Sequence, residues 1–356
     1  MHIVLGYYRF VHAAAYHFER AFLELGHSVT YVGLPTAVSS GYDSSVPINQ
    51  IVTSLHPSPD IFVWIDPAGR YFPIGIEDLF IPTVGYLIDV HLGNWRPIAA
   101  RFFDNVFIAQ KDYLPQYRRA VGHDQVYWLP LAAASDVHYD HGLERIYDVG
   151  FVGSMSRSHR HTARARRLQL ITQQFKTNDV FRSYTPKEVG EIYSESKIVF
   201  NSSIAGDVTM RVFEGSACGA MVLTDSVANG LLELYEPGKE IAVYTDDADL
   251  TDKVNYYLTH ESERCQVAQA GHQRAVTQHS YTHRAQQILN TLASPGLLQA
   301  APMRQADQEQ RMAARHHIYT RLQMLDLILD DAHMVTNNPL RRMLAILPCL
   351  IRRLLI

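Results

Sequence analysis

The chain has 356 residues, 47% of them hydrophobic and 19% charged, with a formal net charge of −4 at pH 7. The length implies about two domains, the composition excludes a disordered chain, and the charge excludes a nucleic-acid binder driven by bulk positive charge. Three cysteines, Cys218, Cys265 and Cys349, offer neither a disulfide framework nor a Cys-x-x-Cys, which points to a reducing, cytoplasmic compartment. The first eight residues lack a basic leader region and a cleavage site and read as the opening strand of a fold. No apolar run approaches the ~20 residues that span a bilayer.

In chain order, His2 to Leu5 is an apolar strand ending at Gly6. His12 to Leu25 follows as a helix with Ala15, Phe18, Phe22 and Leu25 on one face; Gly26 stops it, and Val29 to Val32 is a second strand. This strand, helix, glycine, strand order opens a doubly wound α/β domain. Ile61 to Ile65, Thr83 to Ile88 and Asn105 to Ala109 are short, apolar and bounded by turn residues, as buried strands are. A helix over Tyr113 to Val121 and a strand over Gln125 to Leu129 complete a first domain, 1–138, and the mixed, polar stretch 132–146 reads as a linker.

A second α/β set fills 146–292. It has a strand at Tyr147 to Val152, a helix at Ala163 to Gln173, a strand near Val180, a helix at Pro186 to Ser194 and a strand at Lys197 to Asn201. A short helix from Arg211, strands at Met221 to Thr224 and Glu240 to Tyr244, and helices over 248–259 and 261–277 follow. The tail, 303–356, is different. Residues 305–330 are helix-forming and amphipathic. Residues 340–356 set Leu340, Met343, Leu344, Leu347, Leu350, Ile351 and Leu354 against Arg341, Arg342, Arg352 and Arg353, with Pro348 as a kink.

The most informative stretch runs from Arg211 to Asp225. Phe213, Ala217 and Cys218 share a helical face, Gly219 suits a helix C-terminus, and Ala220 to Leu223 is a buried strand. Arg211 is out of place, because a cation in the first turn of a helix opposes the macrodipole unless an anion accompanies it. A phosphate at that helix N-terminus accounts for the arrangement. Asp207 or Thr209 is placed to cap the same helix.

This segment, with Asp148-Val-Gly150-Phe-Val-Gly153-Ser154, Ile192 to Asn201, Gly230 to Glu240, Ala270 to Arg274 and His279 to Arg284, resembles the donor half of GT-B glycosyltransferases of the CgeB-like (spore-maturation) type, which are related to family 4. The resemblance covers residues 146–292 well and 1–140 by looser pattern. It implies two facing Rossmann-like domains, with the cleft lined by loops after the strands of both halves. It further implies a nucleotide-diphosphate sugar as donor, no cofactor and no obligatory metal. Glu214 matches the second glutamate of the family-4 Glu-x7-Glu motif, which accepts bonds from the ribose hydroxyls. The first glutamate falls at position 206, which is glycine here, with Asp207 the nearest carboxylate. Phe181 to Tyr184 matches the region that cradles the nucleobase.

Transfer from such a donor needs preorganised cations for the leaving diphosphate. Gly153 and Ser154 end the first strand of the second domain, where glycine allows a ligand close to backbone N–H groups. Arg157 and Arg160 follow in the same loop and suit diphosphate contacts, although Arg164, Arg166 and Arg167 continue the run as a solvated basic face would. On the acceptor side Asp89 and His91 end a buried strand, as a general base if the reaction inverts, or as orienting groups if it retains. Gly6-Tyr7-Tyr8-Arg9 and His12 follow the first strand and would line the cleft. Asp246-Asp247-Ala-Asp249 reads as a helix N-cap cluster and not as a metal site, and none of the 18 histidines falls at metal-site spacing.

The sequence thus reads as a cytoplasmic, metal-independent glycosyltransferase acting with retention on a carbohydrate, glycoconjugate or small-molecule acceptor. Polysaccharide or glycoconjugate biosynthesis is the pathway suggested by analogy of fold. Two alternatives remain: a nucleotide-sugar epimerase, which would need two cleft carboxylates that are not evident, and a non-catalytic nucleotide-binding module, which Gly206 keeps open. The tail is open to three roles: docking peripherally on the anionic inner membrane face, packing back on the domains, or dimerisation.

Overall fold

The structure is a computed structural model that describes residues 1–8, 13–33, 42–43, 45–66, 71–153, 162–293, 299–324, 327–328 and 347. Tertiary contacts divide the chain into two compact units. The first holds Met1–Ala109, Tyr113–Trp128 and the described part of Ser294–Ile356, the second Gln110–Asp112 and Leu129–Ala293.

The first unit alternates strand and helix: β1 (His2–Gly6), α1 (Ala14–Glu24), β2 (Ser28–Gly33), β3 (Tyr42–Asp43), α2 (Ile48–Ser54), β4 (Ile61–Ile65), β5 (Thr83–Leu87), α3 (Arg96–Ala100), β6 (Asn105–Ile108), α4 (Leu114–Val121) and β7 (Val126–Trp128), with a 3₁₀ turn at Ile76–Asp78. The strands make one parallel sheet in the order β3-β2-β1-β4-β5-β6-β7. Every residue of β1, β4 and β5 is buried, as expected of parallel strands covered on both faces. The order reverses between β1 and β4, and ligands of open α/β sheets bind beyond the strand carboxyl ends at such a point. Tyr7 and Asp66 stand there. Trp64 of β4 stacks on Phe103 at 5.3 Å and anchors the core.

The second unit is smaller in sheet and richer in helix: β8 (Tyr147–Gly150), α5 (Thr162–Gln174), α6 (Pro186–Ser194), β9 (Ser196–Phe200), α7 (Met210–Ala217), β10 (Met221–Asp225), α8 (Leu231–Leu234), β11 (Ala242–Tyr244), α9 (Asp247–Thr259), α10 (Glu261–Gln278) and α11 (Tyr281–Ala293). Its sheet is parallel in the order β11-β10-β9-β8. The strand expected near Val180 is reduced to a bridge between Thr177 and Val149. The Asn178 side chain then pairs as a strand would, accepting from Phe151 N and donating to Phe151 O, both at 2.9 Å. That edge lies on the far side of β8 from β9, so the switch point of this unit falls between β8 and β9.

Local chemistry sets the helix starts. Thr185 and Glu188 form a capping box ahead of α6, with Pro186 at its first position. Asp246 accepts from Ala248 N and Asp249 N at the start of α9, so this acidic run is an N-cap. The chain then returns to the first unit as α12 (Pro302–Gln305) and α13 (Gln308–Leu322), which contribute Met303, Ala314, Ile318, Tyr319 and Leu322 to its core. Of the helix expected over 305–330, the structure forms Gln308–Leu322, capped by Asp307. The basic half of the tail, 340–356, lies outside the described residues apart from Leu347. Among the described residues no helix is long and apolar enough to cross a membrane.

Candidate functional site

The carboxyl ends of β8 and β9 gather buried cations. Arg211, in the first turn of α7, is 7% exposed. Its Nε and Nη2 donate to Val152 O at 3.0 and 2.8 Å, and its Nη1 donates to Asn201 Oδ1 at 2.7 Å. The guanidinium lies 4.2 Å over the Phe151 ring. Among the described residues the oxygens that hold it are neutral, and no carboxylate contact offsets its charge. Arg164 of α5 is also buried and donates to Ser202 O at 2.9 Å. Burial, and then the like charge of Arg211, lower its pKa to about 10, against the pull of Asp207 and Asp225. Arg167 reaches the same loop, its Nη1 donating to Ser202 Oγ at 3.1 Å and its Nε to Asp247 at 3.0 Å. A desolvated guanidinium such as that of Arg211, held by carbonyl and amide oxygens in the first turn of a helix, with Arg164 buried nearby, forms a field suited to an anion.

Of the expected site residues, Gly153 and Thr209 adjoin this group. Gly153 adjoins Arg211, and a Cβ there would lie 2.2 Å from Arg211 Nη2. The glycine thus makes room for a guanidinium, a different use from the backbone approach of a ligand. Ser154, Arg157 and Arg160 lie outside the described residues. Neither expected cap serves α7. Thr209 holds the N-cap position, but its hydroxyl donates to Asn201 Oδ1 at 2.8 Å. Asp207 instead accepts from Ile204 N and Ala205 N, both at 3.1 Å. A tight turn before the helix satisfies the carboxylate locally. Tyr184 donates to Asp179 O at 2.9 Å and lies under Arg182, beside Phe181, which is 71% exposed.

Gly206 has φ +76° and open space where a Cβ would stand. Its carbonyl accepts from Asn229 Nδ2 at 2.7 Å. The next peptide is held by Gln110, which accepts from Val208 N at 2.9 Å and donates to Val208 O at 3.3 Å. Glu214 of α7 has a side chain 12% exposed, and its Oε1 is 3.7 Å from Nε2 of the buried His138. His138, Arg164 and Asn201 escape sequence reasoning. His138 stands in a stretch that reads as linker. Arg164 stands in an arginine run that reads as a solvated face, yet it is 4% exposed while the Arg166 side chain is 66% exposed.

In the first unit, Asp89 and His91 follow β5. The Asp89 side chain is 42% exposed and stands 4.0 Å from Arg96, and His91 Nδ1 is buried without a hydrogen-bond partner among the described residues. Asp66, at the end of β4, anchors this loop by accepting from Ile88 N at 3.2 Å, Asp89 N at 3.4 Å and Arg96 Nε at 2.5 Å. Burial raises the Asp66 pKa, opposed by Arg96. Tyr7 is buried and donates to Glu19, Tyr8 is exposed, and Arg9 and His12 lie outside the described residues. A cavity of about 750 Å³ lies elsewhere in this unit, bordered by α2, the 3₁₀ turn and α13. The ion-paired Glu77–Arg315 and Asp78–Arg311 border it, and none of the described residues lining it is an expected site residue. Among the described residues no group of three His, Cys, Asp or Glu could hold a metal ion.

Residues 154–290 match the family model described as glycosyl transferase-like. Among solved structures, HepE of Anabaena in complex with UDP and glucose matches at 13% identity and a TM-score of 0.60, over 82% of this chain and 99% of that one. Sucrose-phosphate synthase from Thermosynechococcus elongatus matches at 10% identity and a TM-score of 0.56, over 82% and 98%. A T4 phage BGT mutant in complex with UDP-glucose matches at 13% identity and 0.57, over 83% and 100%. No curated protein matches the chain in sequence. The two parallel α/β units are Rossmann-like and the fold is that of GT-B proteins, and the second unit carries the glycosyl transferase-like match.

Proposed function

We propose that the protein is a glycosyltransferase of the CgeB-like, spore-maturation type, moving a sugar from a nucleoside-diphosphate sugar to an acceptor hydroxyl with retention and without an obligatory metal. The observation that carries this reading is the pair of buried guanidiniums, Arg164 and Arg211, at the carboxyl ends of β8 and β9. As the glycosidic bond breaks, negative charge grows on the leaving diphosphate. Cations already desolvated and held in place stabilise it without reorganising.

In this reading Arg211, with Gly153, Ser154, Arg157 and Arg160, faces the diphosphate. Asp207 and Thr209 shape the loop in front of it. Glu214 accepts from the ribose, and Tyr184 borders the base. Asp89 and His91 orient the acceptor, a hydroxyl of a carbohydrate, glycoconjugate or small molecule. Two of the structural relatives hold UDP or UDP-glucose, which makes uridine nucleotides the first to try. The protein would work in the cytoplasm, with its basic tail on the inner membrane face or in a dimer contact.

A second reading, a nucleotide-binding module without turnover, is favoured by one observation. Position 206 offers backbone at φ +76° and no carboxylate.

Calorimetric titration of UDP, GDP, TDP and ADP into wild type and Glu214→Ala tests the donor site. One nucleotide should bind wild type and be lost or weakened in the variant; no binding to any would sink the reading. Sugar release from the matching donor, assayed with and without EDTA, then separates transferase from module. The anomeric coupling in the product's NMR spectrum reads the stereochemistry.

A further inference from the structure

The ring of His138 is fixed in both tautomer and direction. Val137 N and His138 N both donate to Ala134 O, at 3.1 and 2.7 Å, which folds Ala134 to His138 into a tight turn. Inside the turn Ala134 N donates to His138 Nδ1 at 3.1 Å. A backbone N–H can only donate, so Nδ1 must offer its lone pair, and the neutral ring carries its proton on Nε2. The residue is 4% exposed, and Nε2 stands 3.7 Å from Glu214 Oε1. That separation is longer than a hydrogen bond. The last side-chain bond of a glutamate is a soft torsion, and a turn about it would shorten this separation.

We propose that His138 is a positioning residue for Glu214. Its Nε2–H holds Oε1 and sets the plane in which the carboxylate meets a vicinal diol, so that the site selects a nucleoside diphosphate with an intact ribose over its 2′-deoxy form. The inference rests on the reading of Glu214 as the ribose acceptor. The physical reason is orientation. A carboxylate that turns freely loses part of each two-point bond to the entropy of ordering it, whereas one held at one oxygen presents a fixed pair of lone-pair directions. The Glu214 side chain is only 12% exposed, so bulk water competes weakly for it. Two functions thus separate on one ring: Nδ1 satisfies the turn, and Nε2 serves the site.

Two variants divide these functions. In His138→Asn the amide oxygen replaces Nδ1 and the donor toward Glu214 is lost. In His138→Gln the amide nitrogen reaches the place of Nε2 while Ala134 N loses its acceptor. The measurements are calorimetric affinities for UDP, GDP and ADP, each against its 2′-deoxy form, together with melting temperatures. Wild type should prefer the ribo form of one nucleotide by about tenfold, the scale of a hydrogen bond to a charged group. His138→Asn should lose that preference at nearly unchanged Tm, and His138→Gln should keep it at a lowered Tm. If both variants keep the preference, or both lose it in step with Tm, His138 serves only the turn and the inference fails. If wild type binds none of the three, or Glu214→Gln keeps the full preference, the reading of Glu214 fails first and takes the inference with it.

Discussion

Arg211 fills the space in which a side chain at Gly153 would begin, a Cβ there falling 2.2 Å from Nη2. The two residues are 58 positions apart in sequence, and the contact closes β8 against the N-terminus of α7 through the two bonds to Val152 O. Gly153→Ala is therefore expected to push the guanidinium off Val152 O. Nucleoside-diphosphate affinity should fall about tenfold and Tm should drop, in line with the loss of one or two charge-assisted bonds. Calorimetry and thermal unfolding of the variant check this; full affinity would detach Arg211 from binding.

Arg164 separates stability from function. Its guanidinium is desolvated and repelled by Arg211, both of which oppose folding. Arg164→Met should therefore cost little stability, since replacing a buried charge by an apolar side chain of similar size is often neutral. Nucleotide affinity should nevertheless fall by tenfold or more. A large loss of stability with affinity intact would show that Arg164 is a structural strut.

The ion pair between Glu77 and Arg315 docks α13 on the first unit, and the Glu77 side chain is 1% exposed. Arg315→Ala strands a buried carboxylate and should cost about 3–5 kcal/mol in urea unfolding. Adding Glu77→Gln should recover part of that loss. Equal stability of the single and double variants would mean that the charge of Glu77 is not the issue.

His279 sets a pH dependence. Burial, and then the neighbouring Arg284, lower its pKa from 6.5 to about 4. Its Nδ1 accepts from Arg284 at 2.9 Å, and its Nε2 lies 3.0 Å from Leu234 O. Between these two pKa values the unfolded chain binds the extra proton. The contribution is thus complete above pH 6.5 and is lost as pH falls toward 4, on the order of 3 kcal/mol in all. His279→Gln should flatten this part of the stability profile, as read from urea midpoints at pH 7 and pH 4.5. An unchanged slope would assign the acid sensitivity to other groups.

Asp89 and His91 divide over the acceptor step. If Asp89 is the group that aligns the acceptor, Asp89→Asn should lower kcat by about 10²-fold, the scale of a lost alignment at the reacting atoms, and leave donor affinity unchanged. His91→Asn should then act on the acceptor KM. Equal activity of both variants with wild type would remove this loop from the chemistry.

Much of the fold was legible because its causes are local. The apolar runs of β1, β4 and β5, the glycine after α1, the capping box of α6 and the Asp246 cap all act within a few residues. Their spacing therefore carries the information. The helix that carries Glu214 was legible for the same reason, set between Arg211 and Gly219. The strand near Val180 was misplaced because an asparagine side chain supplies the pairing that the backbone was expected to make.

The alternation of strands and helices, the parallel sheets and the position of the α7 segment were determined by the sequence alone. Such patterns depend on residue type and period. Tertiary structure alone decided which arginine of the run 164–167 is buried, that Gly153 serves a guanidinium, that Asp207 and Thr209 turn away from the helix they precede, and that His138 stands beside Glu214. Each of these depends on which atoms of distant segments arrive within a few ångströms of each other. Burial and pairing at that range follow from packing of the whole unit, which no local spacing encodes.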